Sequence, residues 1–383
     1  MSAPRAVLLA HFAGYLLQFR SPLILELVRR GYQTHVVVPG VTPAIDAGVR
    51  ALGATAHELP LQRTGLNPFA DLATRRALDA TLRELAPEVV IATGVKPIVH
   101  GMPAAQRAGA RIRCPLFAGL GAVGRPAGAR QRLISALTTP MLRRAIAAST
   151  HVAVQNADDA ALLRERFGGA LPGEPIETAG TGVDLSHFAV APPPAAPQVL
   201  MMARLVREKG IYEFLEAARI VRARVPQVRF VLAGFFETRA GAASKDEFLA
   251  QCREAGVHHA GHLEDVRPLL AESSLFVLPT YYGEGRPRSI QEALAMGRPI
   301  VTTDGVGCRD AIDDGVHGRI VPPRDGARLA AAILEVLSWP DPAAVAERCR
   351  ALAERRYCAR AIAARFLDDL GATARAAASE STR

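Results

Sequence analysis

Pro279-Thr-Tyr-Tyr-Gly-Glu-Gly-Arg-Pro-Arg-Ser-Ile-Gln-Glu292 follows the apolar run Leu275–Leu278 and leads into helical periodicity over Arg288–Ala295. Strand, glycine-flanked loop and helix in that order is the building unit of a doubly wound α/β sheet. Pro287 suits the first turn of the helix, where its fixed φ is already helical and its missing N–H is not needed. The start of such a helix presents free N–H groups and the positive end of the dipole, which together suit a phosphate. Glu284 lies in the loop and Glu292 about one turn inside the helix. Two carboxylates so placed can grip different hydroxyls of one polyhydroxy ligand through charge-assisted bonds. They also fit a plain capping loop with a solvated Glu followed by an ordinary helical Glu. Spacing alone leaves both readings open.

A second junction of the same kind is Ala203-Arg-Leu-Val-Arg-Glu-Lys-Gly210, between the apolar run Val199–Met202 and a helical stretch over Gly210–Arg224. Arg204 offers a planar fork to phosphate oxygens and Lys209 a compact point charge. Taken alone this is a solvated basic loop; two phosphate-friendly junctions in one domain are harder to dismiss. The rhythm extends to both ends of the chain. Strands are expected at Arg5–Ala10, Thr34–Val38, Val89–Ala92, Ile112–Phe117, Arg229–Ala233 and Pro299–Thr302, with helices over Ser21–Arg30, Pro68–Ala86, Arg130–Ala148 and Gly326–Ser338. One interruption stands out. Ala191-Pro-Pro-Pro-Ala-Ala-Pro197 suits neither a helix interior nor a central strand, because proline lacks the N–H. The expected organisation is therefore an N-terminal Rossmann-like domain (residues 1–188), a Pro-rich linker (189–198), a C-terminal ligand-binding domain (199–360) and a terminal helix with a frayed tail (361–383). Two doubly wound α/β domains would face each other across a cleft and bind ligand beyond the carboxyl ends of their strands.

Composition narrows the function classes. With 383 residues, 49% hydrophobic and 22% charged, the chain is neither collagenous, coiled coil nor broadly disordered. The 46 Lys and Arg against 37 Asp and Glu give +9, which brings a polyanionic partner into consideration: nucleic acid, a phosphorylated substrate or anionic lipid. Aromatic residues make up 5%, and no nucleic-acid module is present, which argues against nucleic acid. The five cysteines are scattered with no C-x-x-C pair, as in a reduced protein without a zinc site or disulfide framework. No apolar run reaches the length of a membrane span. The apolar stretch Ala6–Leu17, interrupted by His11, reads as a first buried strand rather than a signal peptide.

The two junctions resemble the donor-site signatures of retaining glycosyltransferases of family 4, which have the GT-B fold. Glu284 and Glu292 match the family's Glu-x7-Glu motif, and Arg204 with Lys209 its Arg…Lys-Gly loop. Gln155–Asp159, Gly180–Phe188, Gly261–Asp265 and Ala293–Pro299 extend the similarity over most of the chain. Phe19–Leu23 through His35–Pro39, Lys96-Pro97 and Gly119–Gly121 are similar to a narrower group. That group builds capsule, lipopolysaccharide and lipid-linked oligosaccharides, and includes N-acetylgalactosaminyltransferases. The resemblance implies a nucleotide-sugar donor, UDP-linked, and a polyprenyl-diphosphate-linked saccharide as acceptor. It implies transfer with retention, no metal and no cofactor. Arg204 and Lys209 would neutralise the departing diphosphate, Glu292 hold the ribose hydroxyls and Glu284 contact the sugar. Gly285 and Arg286 would offer backbone amides, Gly14 a close approach to the donor, and Lys96 a phosphate contact. The chain departs from its relatives at His11-Phe-Ala-Gly14, which lacks a paired glycine. It also has Gly283 where an Arg is frequent, and no His directly before Lys96-Pro97. A sugar-nucleotide 2-epimerase of the same fold and a non-catalytic sugar-nucleotide-binding scaffold are the alternatives.

The positive charge is localised. Val89–Ala157 holds nine basic residues (Lys96, Arg107, Arg111, Arg113, Arg125, Arg130, Arg132, Arg143 and Arg144) and no Asp or Glu, which leaves the rest of the chain formally neutral. Arg125–Arg144 mixes these with Leu133, Ile134, Leu137, Met141 and Leu142, as an interfacial helix would. A helix with a core-facing stripe and a solvated basic face gives the same pattern. The expectation is a cytoplasmic protein held peripherally on the inner face of the cell membrane, with residues 89–157 against anionic lipid.

Overall fold

The computed structural model describes residues 3–62, 67–120, 129–236 and 245–372. The chain divides into two units, Met1–Thr181 with Ala359–Arg383, and Gly182–Cys358.

The first unit is built on a parallel sheet of seven strands in the order β3-β2-β1-β4-β5-β6-β7. These are β1 (Arg5–Leu9), β2 (Gln33–Val38), β3 (Ala54–Glu58), β4 (Val89–Thr93), β5 (Ile112–Leu116), β6 (Ala153–Val154) and β7 (Ile176–Glu177). The second unit has six parallel strands in the order β10-β9-β8-β11-β12-β13. They are β8 (Gln198–Met202), β9 (Arg229–Ala233), β10 (Val257–Gly261), β11 (Leu275–Leu278), β12 (Ile300–Thr303) and β13 (Gly318–Val321). Helices cover both faces, so the central strands are apolar without alternation: β8, β11 and β12 are buried throughout. Each sheet reverses its order once, between β1 and β4 in the first and between β8 and β11 in the second. A doubly wound sheet opens its ligand crevice at such a point, beyond the strand carboxyl ends.

The boundaries differ from the sequence expectation. The Pro-rich segment is part of the second unit rather than a hinge between domains. Arg298, 1% exposed, donates to the carbonyls of Ala191 (2.6 Å) and Pro192 (3.0 Å), and Arg350 donates to those of Leu185 and Phe188. The chain leaves the first unit at Thr181 and re-enters it at Ala359. There the helix Ala359–Asp369 places Phe366 and Leu367 in the core shared with the helix Ala13–Arg29. Arg30 fastens it, pairing with Glu26 (2.9 Å) and Asp368 (2.7 Å) and donating to the carbonyls of Ala364 and Ala372 (2.8 Å each). Glu26 keeps Arg29 and Asp368 is largely exposed, so the loss of Arg30 falls on the carbonyls of Ala364 and Ala372, and a buried acceptor left unsatisfied costs about 1–3 kcal/mol. Arg30→Met is expected to lower the urea midpoint of the first unit and expose the C-terminal helix to limited proteolysis.

Two local readings also shift. The first helix begins at Ala13 rather than Ser21, so the loop after β1 is shorter than expected and Gly14 lies in the first helical turn. Pro22 is carried inside that helix. Pro287 stands at the N-cap, one residue before the helix Arg288–Ala295, instead of within its first turn.

Candidate functional site

All eight residues singled out from sequence lie beyond the carboxyl ends of the four strands at the two reversal points. Arg204 and Lys209 follow β8; Glu284, Gly285, Arg286 and Glu292 follow β11; Gly14 follows β1 and Lys96 follows β4.

In the second unit the two junctions are stitched together by one carbonyl. After β8 the chain makes a 3-10 turn, Arg207–Lys209, and then turns into the helix Ile211–Arg224 at Gly210. The Glu208 carbonyl accepts from the backbone N–H groups of Tyr281 (2.9 Å) and Tyr282 (3.1 Å), and the Thr280 hydroxyl is 3.1 Å away. Gly210 has φ +78°, and a Cβ there would run into the Pro279 carbonyl. The loops therefore meet only because this position has no side chain. Lys209 Nζ forms an ion pair with Glu284 Oε1, and the Thr280 hydroxyl is 3.2 Å from the same oxygen. Both partners are mostly buried, and the ammonium is also 5.7 Å from the centre of the Tyr282 ring. Behind the loop, Gly307 (φ +77°) packs on the carbonyls of Glu284 and Gly285. The thiol of buried Cys308 is pushed up to about 12, by burial first and by Glu284 second. It fills space there and is no nucleophile.

Glu292 projects from the helix Arg288–Ala295, where Oε1 is 2.8 Å from Arg288 Nε one turn earlier. Burial pushes its carboxyl above the ordinary range, against the opposing pull of Arg288. Among the described residues no side chain caps the start of this helix. Arg286 adds a feature the sequence reading missed. Nε and Nη1 of its side chain are buried with no hydrogen-bond partner among the described residues, whereas only its backbone amide was expected to matter. Arg204 is half-buried in the loop after β8.

In the first unit, Lys96 stands in the opening turn of the helix Val95–Arg107 and is paired with Asp71, Nζ to Oδ1 2.8 Å. It is a neutralised cation that a phosphate would have to share. His100 shares that face, as four-residue spacing requires, with Nε2 3.9 Å from Asp71 Oδ1. It is buried rather than on the helix surface, and burial lowers its pKa. Gly94, at φ +92°, caps this helix with the His11 imidazole where a Cβ would be. Gly14 has the Phe12 ring folded against it in the same way.

The basic span is less free than its count suggested. Lys96, Arg107 and Arg111 pair with Asp71, Asp79 and Glu88, all contributed from outside the span. Arg113 donates to the carbonyls of Ala110 and Ala148, and Arg143 to that of Arg166. Arg125 lies outside the described residues. Among the described residues, no three His, Cys, Asp or Glu side chains gather as a metal-binding group, and no single helix is long and apolar enough to cross a membrane.

Residues 23–187 match the family model of glycosyltransferase family 4, and residues 196–338 that of glycosyl transferases group 1. The N,N'-diacetylbacillosaminyl-diphospho-undecaprenol alpha-1,3-N-acetylgalactosaminyltransferase of Campylobacter jejuni is 28% identical over 324 residues, 81% of this chain and 83% of that protein. A glycogen synthase of Mycobacterium tuberculosis is 32% identical over 60% of this chain and 54% of its own length. In fold, the chain is similar to Anabaena HepE, solved in complex with UDP (TM-score 0.76, 17% identity, 96% of this chain and all of that one). It is likewise similar to the sucrose-phosphate synthase of Thermosynechococcus elongatus (TM-score 0.76, 19% identity, 96% and 99%). With both family models placed end to end on the two sheets, the chain belongs to the family 4, group 1 glycosyltransferases of the GT-B fold.

Proposed function

We propose that the chain transfers a hexose or N-acetylhexosamine from a UDP-sugar, with retention and without a metal, to a polyprenyl-diphosphate-linked saccharide in cell-surface polysaccharide synthesis. The Lys209–Glu284 pair at the β8/β11 reversal point carries this reading. Arg204 and Lys209 are the cations that take the charge growing on the diphosphate as the glycosidic bond breaks, the task a metal performs elsewhere. Glu284 is anchored by Lys209 and Thr280, which fixes its carboxylate toward the sugar. Glu292 binds the ribose hydroxyls, and Gly285 with Arg286 borders the phosphate at the helix start. The leaving phosphate oxygen takes the acceptor proton on the same face of the sugar, so the step needs no protein base. On the first unit, Gly14 admits the donor and Lys96 meets a phosphate. The lipid-linked acceptor is supported by the Campylobacter relative, whose own name specifies one.

Incubation with radiolabelled UDP-sugars and a lipid-diphosphate saccharide is expected to give product of unchanged anomeric configuration, at a rate insensitive to EDTA. Isomerised free nucleotide sugar would identify an epimerase. Donor binding without turnover across a broad acceptor panel would identify a scaffold. Glu292 provides a separate check. Its hydroxyl grip requires the carboxylate, so donor affinity is lost as pH falls through a pKa that burial has raised. The acid limb of the kcat/KM profile is expected above the ordinary carboxylate range near 4.5, and Glu292→Gln should remove it.

The proposal extends to the membrane. The helix Ala129–Ala147 exposes Leu133, Leu137 and Met141 at four-residue intervals, 63, 51 and 41% accessible, beside Arg132 and Arg144. That stripe suits peripheral docking to anionic lipid. Sedimentation with vesicles should rise with anionic lipid content and fall with salt; independence of both would remove the membrane from the reading.

A further inference from the structure

A cavity of about 440 Å³ lies in the outer helical layer of the first unit, among the helices Pro68–Leu85, Val95–Arg107 and Ala129–Ala147. It is distinct from the crevice at the strand ends. Of the residues that line it on the middle helix, His100 and Arg107 follow Lys96 by four and eleven positions, about 6 and 16 Å along the axis. The volume is that of a small-molecule site.

Its walls have two characters. Leu72, Val99 and Met141 make an apolar lining, while Arg75 and Arg144 stand at its side, each exposed and without an ion-pair partner among the described residues. His100 is buried in the wall. Outside, Phe69 is 82% accessible and Leu133 and Leu137 extend the apolar surface along the neighbouring helix. A purely apolar ligand would make no use of the two guanidinium groups, and a small inorganic anion would leave the apolar lining uncovered. An anion carrying an aliphatic tail satisfies both. Of the exposed side chains around it, Leu133, Leu137 and Met141 form the stripe already read as membrane-facing, and Phe69 and Leu72 add exposed apolar surface from the helix Pro68–Leu85.

We propose that this cavity binds one acidic phospholipid of the bilayer, its phosphate between Arg75 and Arg144 and the first part of its acyl region against Leu72, Val99 and Met141. The inference rests on the membrane reading and sharpens it. The stripe supplies general adhesion, whereas the cavity makes contact stoichiometric and selective for a phosphate-bearing lipid. Asp71, which lines the cavity, is also the partner of Lys96. A bound lipid is thereby linked to a residue at the strand-end crevice through a single carboxylate.

Dihexanoyl phosphatidylglycerol, used below its micelle concentration so that no membrane is present, is the direct probe. Calorimetry on the full chain should show one site per molecule. Dihexanoyl phosphatidylcholine and inorganic phosphate should each bind at least about tenfold more weakly, since one lacks net charge and the other a tail. Arg75→Glu with Arg144→Glu should weaken the phosphatidylglycerol by at least about tenfold. Met141→Trp, which narrows the cavity at its apolar wall and leaves both cations in place, should weaken it as well. Circular dichroism melts of both variants must match the parent. Absence of binding by the monomeric lipid overturns the proposal. So does unchanged affinity in Met141→Trp, or phosphate binding as tightly as the lipid. Anionic vesicles that still sediment the chain when the monomeric lipid does not bind would leave the membrane reading standing and eliminate the cavity.

Discussion

Lys209→Ala is expected to lower kcat about 10³-fold while changing the KM for the UDP-sugar far less. The asymmetry follows from when the charge appears. A bound diphosphate diester carries two negative charges, and a further one develops only as the sugar–oxygen bond breaks. A cation fixed beside that oxygen therefore stabilises the transition state more than the ground state. Removing one preorganised group of this kind costs about 10²–10³ in rate. The structure adds a second loss. Lys209 is paired with Glu284 in a mostly buried setting, and its removal takes an ion-pair partner from the oxygen that Thr280 also contacts. The carboxylate's orientation toward the sugar weakens. Lys209→Arg is expected to recover only part of the activity. It restores charge, but a planar fork cannot occupy the place of a point charge held between Glu284 and the Tyr282 ring. Single-turnover kinetics on the folded variant decide the matter. A loss in kcat below tenfold, or a loss confined to KM, would remove Lys209 from the chemical step.

Legibility in the sequence followed the range of the interactions involved. Both donor-side junctions could be read because each is written in one contiguous stretch: an apolar strand, glycine and charges in the loop, and then helical periodicity. The doubly wound class could be read for the same reason. What escaped was set by contacts between distant residues. The Pro-rich segment has the composition of a linker, yet Arg298, more than a hundred positions away, binds it to the second unit. The return of the C-terminal helix depends on Arg30, over three hundred residues away. Lys96 reads as a bare cation because Asp71 belongs to a different helix. The charge excess of residues 89–157 is a true count that overstates the unpaired charge, since Asp71, Asp79 and Glu88 neutralise part of it from outside the span. Counting charges along a chain detects a patch only when the neutralising partners are also local.

Gly210→Ala is expected to destabilise the second unit by about 3 kcal/mol and to reduce turnover by more than that loss of folded protein explains. The stability term has two parts. A left-handed conformation costs a residue with a Cβ about 1–2 kcal/mol. At φ +78° the new Cβ also meets the Pro279 carbonyl, a backbone atom that cannot swing aside, and overpacking of this sort adds about 1–3 kcal/mol. Gly315→Ala isolates the first part. It lies in the same unit at φ +75°, and its Cβ would meet only the flexible tip of Arg319 at 3.6 Å, so about 1 kcal/mol is expected. The difference between the two midpoints measures the contact between the loops. The functional part follows from the position of that contact. Relieving the overlap pushes Pro279 away from the 3-10 turn, and Glu208 then loses the Tyr281 and Tyr282 N–H groups that hold the Glu284 loop beside Lys209. Activity per folded molecule, measured below the unfolding transition, should fall at least tenfold in Gly210→Ala and remain at the parental level in Gly315→Ala. Equal specific activities in the two variants would mean that the Lys209–Glu284 pair forms independently of this glycine.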